Sequence, residues 1–305
     1  MGARAYVTVR ATGLVAAAAL TASAALALTA PSSGASVSRP SASATPSTLA
    51  SGPGGVGAKA AAVENASTGA LLWSRELNTE RPMGSITKVM TALVVIRAGD
   101  LGRKITIPYA AVAYAREHDA SSADLRAGDQ LTAGQLLEGL MLPSGCDAAY
   151  VLAEAYGPGL SAFVAKMNAT AKLMGLTRTH FANFDGLPWP TEHATYSTAA
   201  NLLTLGRVAM RSAAFRAVVD QRSYRIAAGS GHHAYLWRNT DPLLGTYRGA
   251  TGIKTGYTLA AGHCLLFEAT RNGYSLIGVT LDSPGSGTTV NGVDATRILN
   301  WTFNL

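Results

Sequence analysis

The dipeptide Asn272-Gly273 stands between two apolar runs, Cys264–Ala269 and Leu276–Leu281. Asn and Gly both tolerate the left-handed backbone of a tight hairpin turn, so the two runs are expected to pair antiparallel. Tyr224–Ile226 and Gly252–Tyr257 read as further strands of the same C-terminal third. A second hairpin is expected near the front, where Ala61–Asn65 and Ala70–Trp73 flank Ser67-Thr68-Gly69, and Lys104–Ile107 reads as a short strand. Between these ends the apolar spacing is helical. Thr132 caps a segment carrying Leu136, Leu137 and Leu140, and Asp147 opens one carrying Ala149, Leu152 and Ala153. Leu160–Met174 carries Phe163, Val164, Met167 and Ala171, and Ser197 or Thr198 caps a run through Leu202, Leu205 and Val208. The stretch from Tyr109 to Gly128 reads as polar, irregular surface, and Gly292–Trp301 as a terminal helix. Strands at both ends with helices between predict an α+β fold, a sheet interrupted by an all-helical part at about 109–215.

The first residues obey a different rule. Arg4 and Arg10 precede an uncharged stretch, Ala11–Ala30, and small residues at Ala25–Ala27 or Ser33–Ala35 offer a cleavage site. Residues 1–30 therefore read as a secretory signal peptide, with an uncleaved membrane anchor as the alternative. Residues 31–59, rich in Ser, Ala, Gly, Pro and Thr, read as a tether, leaving 60–305 as the folded domain. The expected location is extracytoplasmic, with any membrane association coming from the N-terminus. A charged fraction of 14% beside 48% hydrophobic residues excludes global disorder. The formal charge of +7 is spread out, with no dense basic run and no aromatic-basic interleaving, so no nucleic-acid partner is expected. Only Cys146 and Cys264 occur. In an oxidising compartment they invite pairing, which would stabilise the fold by roughly 4–5 kcal/mol in the chain-entropy model. No histidine or cysteine group has metal spacing; His232-His233 reads as a solvated turn, and His263 as a surface position near a strand end, with contact to substrate as the alternative.

Three polar islands interrupt this apolar plan. In Pro82–Lys88 a short turn delivers Ser85 and Lys88 onto the start of an apolar helix, three residues apart and hence side by side. A serine hydroxyl needs a base to become a nucleophile, and a desolvated lysine can serve. Ser144 sits in a Pro-Ser-Gly turn between two helices. Lys254-Thr255-Gly256 sits on what reads as a central strand, where a lysine is costly unless its end reaches a cleft.

Together these islands resemble the motif set of penicillin-binding proteins and serine β-lactamases. Their surroundings narrow the likeness. Ser85–Thr91, Leu142–Ala149, Gly175–Phe181, Tyr196–Ala199, Gly252–Thr258 and Ala261–Leu265 look like the low-molecular-weight D-alanyl-D-alanine carboxypeptidases, over about Ala60–Ser283. The resemblance implies a β-lactamase/transpeptidase-like α+β fold, an antiparallel sheet flanked by helices, with the active site between sheet and helical insertion. It implies cleavage of peptidoglycan pentapeptide stems without a cofactor or metal, and β-lactams as inhibitors. Ser85 would form an acyl-enzyme, with Lys88 as base, its pKa lowered by desolvation and by Lys254. Ser144 would relay a proton to the departing D-alanine. Lys254 and Thr255 would hold the terminal carboxylate. Beside Gly256, the backbone N–H groups of Ser85 and Tyr257 would form the oxyanion hole.

Cys146 departs from the asparagine usual at its position, as it does in an actinobacterial DD-transpeptidase. A thiol donates and accepts only weakly. The departure raises a shift from hydrolysis towards transfer onto an amine, or slower turnover. The likeness also places Cys264 near the cleft, where a disulfide to Cys146 would bolt its walls together. Cys146 as nucleophile is a further alternative. A β-lactamase would need a base for its deacylating water, and Glu192 is the nearest acid, in unlike surroundings. A non-catalytic β-lactam sensor is the remaining alternative, opposed by the joint presence of Ser85, Lys88, Ser144, Lys254 and Thr255.

Overall fold

In the computed structural model, which describes residues 52–287 and 289–305, strand β8 (Gly262–Arg271) turns at Asn272-Gly273 into strand β9 (Tyr274–Ser283). Both turn residues take positive φ, 51° and 76°, as a two-residue hairpin requires. On its far side β9 pairs with β1 (Ala60–Asn65), which pairs with β2 (Leu71–Arg75). Strand β7 (Ala250–Thr258) takes the free side of β8, giving an antiparallel sheet in the order β2-β1-β9-β8-β7.

Alternation assigns the two faces of this sheet. Ala61, Val63, Leu265, Phe267 and Leu276 point to one side and meet Ala295, Ile298 and Leu299 of helix α8 (Val290–Thr302). Ala60, Ala62, Leu266, Ile277, Val279 and Leu281 point to the other and join the larger core. That core includes α1 (Lys88–Ala98) and, among the helices that follow it, α3 (Ala133–Met141), α4 (Cys146–Tyr156), α5 (Leu160–Leu173) and α6 (Ala199–Met210). Every residue of α1 from Lys88 to Val95 is buried, which is why its apolar positions run almost all the way round. Thr132 begins α3 with a reciprocal cap shared with Gln135, and Thr198, of the two expected candidates, caps α6.

Some readings are corrected. Tyr109–Gly128 is not irregular throughout, because Tyr109–Glu117 forms helix α2. It buries Ala111, Ala113 and Ala115, and alanines are too small to leave a hydrophobic stripe in the sequence. Ala213–Val219 forms a further helix, α7, capped by Ser212. The strand at Tyr224, β5 (Ser223–Ile226), pairs with β6 (Tyr235–Arg238) and forms a small sheet of its own. A second small sheet joins β3 (Lys104–Thr106) to β4 (Gln130–Thr132). His233 is not simply solvated: its Nδ1 lies 2.9 Å from the buried carboxylate of Asp129. Val56 and Ala58, within the stretch read as tether, are buried in the sheet–α8 core, and Gly57 N and Ala58 N donate to Asp294. Residues 1–51, which hold the proposed signal peptide and most of that tether, lie outside the described residues. Among the described residues no helix is long and apolar enough to cross a membrane.

Candidate active site

The chain enters α1 through a single tight turn, Gly84–Thr87, of 3₁₀ type. Three residues per turn stack side chains i and i+3 directly over one another. Ser85 Oγ and Lys88 Nζ therefore meet at 2.8 Å. Lys88 is fully buried, and Nζ has two further acceptors, Cys146 Sγ at 3.3 Å and the backbone oxygen of Asp185 at 3.0 Å. Nζ donates in all three contacts, so Ser85 Oγ shares the amine with Cys146 Sγ and Asp185 O.

The helical wall is held by one carboxylate. Asp147, at the start of α4, accepts from the backbone of Ala123, Leu125 and Ala148 and from Ser122 Oγ. Gly145 N donates to Gly139 O and Cys146 N to Ser121 O, so the turn before α4 is fixed on both sides. Ser144 in that turn has φ of 65°, a strained value for a non-glycine residue. Its Oγ is buried and has no hydrogen-bond partner among the described residues, although the side chain borders the cleft. Burial pushes the Cys146 thiol up to about 12, against a smaller opposing pull from Lys88. A thiol so protonated is a poor nucleophile. Cys146 and Cys264 are both free, so the cross-cleft disulfide is not formed; Cys264 Sγ donates instead to Ala261 O at 3.4 Å.

Across from this wall stands β7. It is the edge strand of its sheet and not the central one expected, yet Lys254 does not face solvent: only 1% of it is exposed. The edge is covered by the Gly84–Thr87 turn and by α7. Close packing makes this possible: a Cβ on Gly84 would stand 2.9 Å from Tyr257 N, and one on Gly256 would stand 3.2 Å from Ser85 N. The two backbone N–H groups expected to form an oxyanion hole are thereby brought together. Among the described residues Lys254 Nζ has only Thr255 as acceptor, through its backbone oxygen at 3.1 Å and Oγ1 at 3.4 Å. Burial, followed by the nearby charge of Lys88, depresses Lys254 to about 7, with Cys146 and Asp241 pulling the other way.

Between the walls lies a cleft of about 500 Å³, bordered by Ser85, Ser144, Thr255, Gly256 and Tyr257. A serine hydroxyl bonded to a buried lysine, a second hydroxyl without a partner among the described residues and a threonine beside another buried lysine meet at this space, a set of groups suited to acyl transfer. The family model described as D-alanyl-D-alanine carboxypeptidase matches residues 46–285. The chain belongs to the D-alanyl-D-alanine carboxypeptidase family. A carboxypeptidase of this name from Streptomyces sp. strain K15 is 41% identical over 274 residues, covering 86% of this chain and 92% of that protein. The solved Streptomyces K15 DD-transpeptidase aligns at a TM-score of 0.77 with 40% identity, over 82% of this chain and 98% of that one. A Mycobacterium tuberculosis D-alanyl-D-alanine carboxypeptidase structure gives 0.74 with 32% identity, over 84% and 96%. D-alanyl-D-alanine carboxypeptidases are hydrolases of peptidoglycan D-Ala-D-Ala peptides and bind penicillin-type inhibitors, and the α+β fold described above is that of the family's solved structures.

For a carboxypeptidase of this family, the residues read from sequence divide into two layers. Ser85, Ser144, Thr255, Gly256 and Tyr257 border the cleft, while Lys88, Cys146 and Lys254 are buried behind it. His263, expected as a surface position or a substrate contact, is half-buried and borders the cleft, its ring 4.6 Å from that of Tyr257. Sequence reading missed Ser121, Thr240 and Asn291 on the cleft rim, and Asp185 behind Lys88. The Asp185-Gly186 and Asn239-Thr240-Asp241 clusters were visible as polar breaks, but nothing in their spacing aims them at Ser85.

Proposed function

We propose that this chain is a serine-type D-Ala-D-Ala carboxypeptidase that works through an acyl-enzyme on Ser85. The observation that carries the reading is the 2.8 Å contact between Ser85 Oγ and a Lys88 amine whose other directions are already matched to Cys146 and Asp185. Lys254 and Thr255 hold the terminal carboxylate of a peptidoglycan stem. Ser85 Oγ attacks the carbonyl of the penultimate D-alanine while its proton passes to Lys88 Nζ. The oxyanion is received by the N–H groups of Ser85 and Tyr257, each of which contributes on the order of 3–4 kcal/mol. The C–N bond then breaks, and the proton taken up by Lys88 passes to the departing D-alanine nitrogen through Ser144 Oγ, a buried hydroxyl with no hydrogen-bond partner among the described residues. Water attacks the Ser85 ester and restores the enzyme.

Transfer of the acyl group to an amine is the second reading. It is favoured by Cys146, which gives Lys88 a weak acceptor and offers substrate no amide, and by the similarity to a protein named DD-transpeptidase. Penicillin acylates Ser85 in either case. Residues 1–30 act as a secretory signal or N-terminal anchor, followed by a tether that gives way to the packed domain by Val56. The enzyme acts outside the cytoplasm, with any membrane association confined to that N-terminus.

The test is incubation with a fluorescent penicillin, followed by intact-mass measurement and by D-alanine release from a pentapeptide with and without an added amine. A single stable adduct is expected, lost in Ser85→Ala. An adduct that survives Ser85→Ala, or rapid turnover of the drug, would remove the proposed mechanism.

A further inference from the structure

Thr240 borders the cleft from the loop ahead of β7, and its Oγ1 lies 2.6 Å from Thr255 Oγ1. The loop that carries it is tied to both walls. Thr240 N donates to Leu142 O, two residues before Ser144 on the helical side. Asn239 Nδ2 donates to Val219 O and Gln221 O, and Asn239 Oδ1 receives Asp241 N. Thr240 is therefore held in place by the chain on either side of it, and its hydroxyl faces a single neighbour among the described residues, that of Thr255.

A hydroxyl has one proton and two lone pairs. In its charged form Lys254 Nζ can only donate, and at 3.4 Å it engages one lone pair of Thr255 Oγ1. Between the two threonines either oxygen can be the donor. If Thr255 donates to Thr240, its proton is turned away and an incoming carboxylate meets a lone pair. If Thr240 donates to Thr255, both lone pairs of Thr255 are taken and its proton is left for the cleft. A carboxylate is acceptor-only, so its arrival selects the second arrangement, provided that Thr240 has a proton to give.

We propose that Thr240 is a positioning residue for the substrate's terminal carboxylate, its hydroxyl donating to Thr255 Oγ1 so that the Thr255 proton points into the cleft. The proposal rests on the reading that Thr255 and Lys254 hold that carboxylate. It predicts a specific kind of loss: recognition of the carboxylate weakens, whereas attack by Ser85 does not.

The experiment compares two substrates in the full chain, an acyl-D-Ala-D-Ala peptide and an acyl-D-alanine thioester whose leaving group has no carboxylate. Thr240→Val removes the hydroxyl at nearly constant shape, Thr240→Ser restores it, and Thr255→Val is the reference. With Thr240→Val, kcat/KM for the peptide should fall about tenfold, mainly through KM, the size expected for one hydrogen bond to a charged group. Thioester turnover should stay within about twofold of the unaltered enzyme, and Thr240→Ser should recover the peptide. Equal losses on both substrates would mean a packing role and overturn the proposal, as would no loss on either. If Thr255→Val discriminates between the substrates and Thr240→Val does not, Thr240 alone is refuted. If Thr255→Val itself fails to discriminate, the assignment of the carboxylate to Thr255 falls, and the proposal with it.

Discussion

Two buried lysines face one cleft from opposite walls, and they are finished differently. Lys88 stands at the start of a helix buried from Lys88 to Val95, with one local acceptor, Ser85 Oγ, and two from distant parts of the chain, Cys146 Sγ and Asp185 O. Lys254 stands on an edge strand with only its neighbour Thr255 as acceptor among the described residues, and burial holds it near 7. A buried ammonium with few partners is costly, and an arriving anion removes part of that cost. The completed lysine suits proton transfer at a fixed atom; the incomplete one suits capture of a carboxylate. The difference follows from what surrounds two identical side chains.

The largest expected effect breaks the first half of this comparison. Lys88→Met should lower acylation of Ser85 by about 10²–10⁴-fold, measured as the rate of adduct formation with a fluorescent penicillin. A loss smaller than tenfold would move the base elsewhere. Lys254→Gln should spare Ser85 but weaken carboxylate-bearing substrates by about 10–100-fold in kcat/KM. The same change should raise the melting temperature, since it removes a charge that burial disfavours; a lower melting temperature would contradict that account.

Smaller changes sharpen the contrast. Cys146→Asn replaces a weak acceptor beside Lys88 by an amide that can also donate to substrate. The ratio of hydrolysis to transfer onto an added amine should rise about severalfold, roughly the value of one hydrogen bond. An unchanged ratio would show that the thiol does not tune partition. The smallest effect concerns pH. Lys254 is charged below its pKa, so kcat/KM for peptide should fall as pH rises through about 7. Asp241 is buried behind it with one carboxylate oxygen unpartnered among the described residues, and its charge favours the ammonium, opposing Lys88. Burial raises Asp241 itself to about 6, so it is ionised at neutral pH. Asp241→Asn should shift the falling limb of the profile to lower pH. An upward shift, or none, would remove Asp241 from the pair.

Much of this contrast was legible as residue types and little of it as partners. The Ser85–Lys88 pairing could be read because its geometry is local, three residues along one turn. The hairpin at Asn272-Gly273 was legible for the same reason. Helix α2 was hidden because alanine burial leaves no stripe. The place of Lys254 was misread because a run of buried residues looks alike on a central strand and on a covered edge.

The sequence by itself determined which chemical groups exist and which lie on one turn or one strand face: Ser85, its adjacent Lys88, the Lys254-Thr255-Gly256 run and the antiparallel C-terminal strands. Only the tertiary structure decided that Asp185 O completes Lys88, that Thr240 stands over Thr255, and that Cys146 and Cys264 remain apart. The reason is physical. Short-range geometry is set by backbone stereochemistry and survives in residue spacing, whereas a backbone carbonyl that closes a site from 97 residues away has no side-chain signature to read.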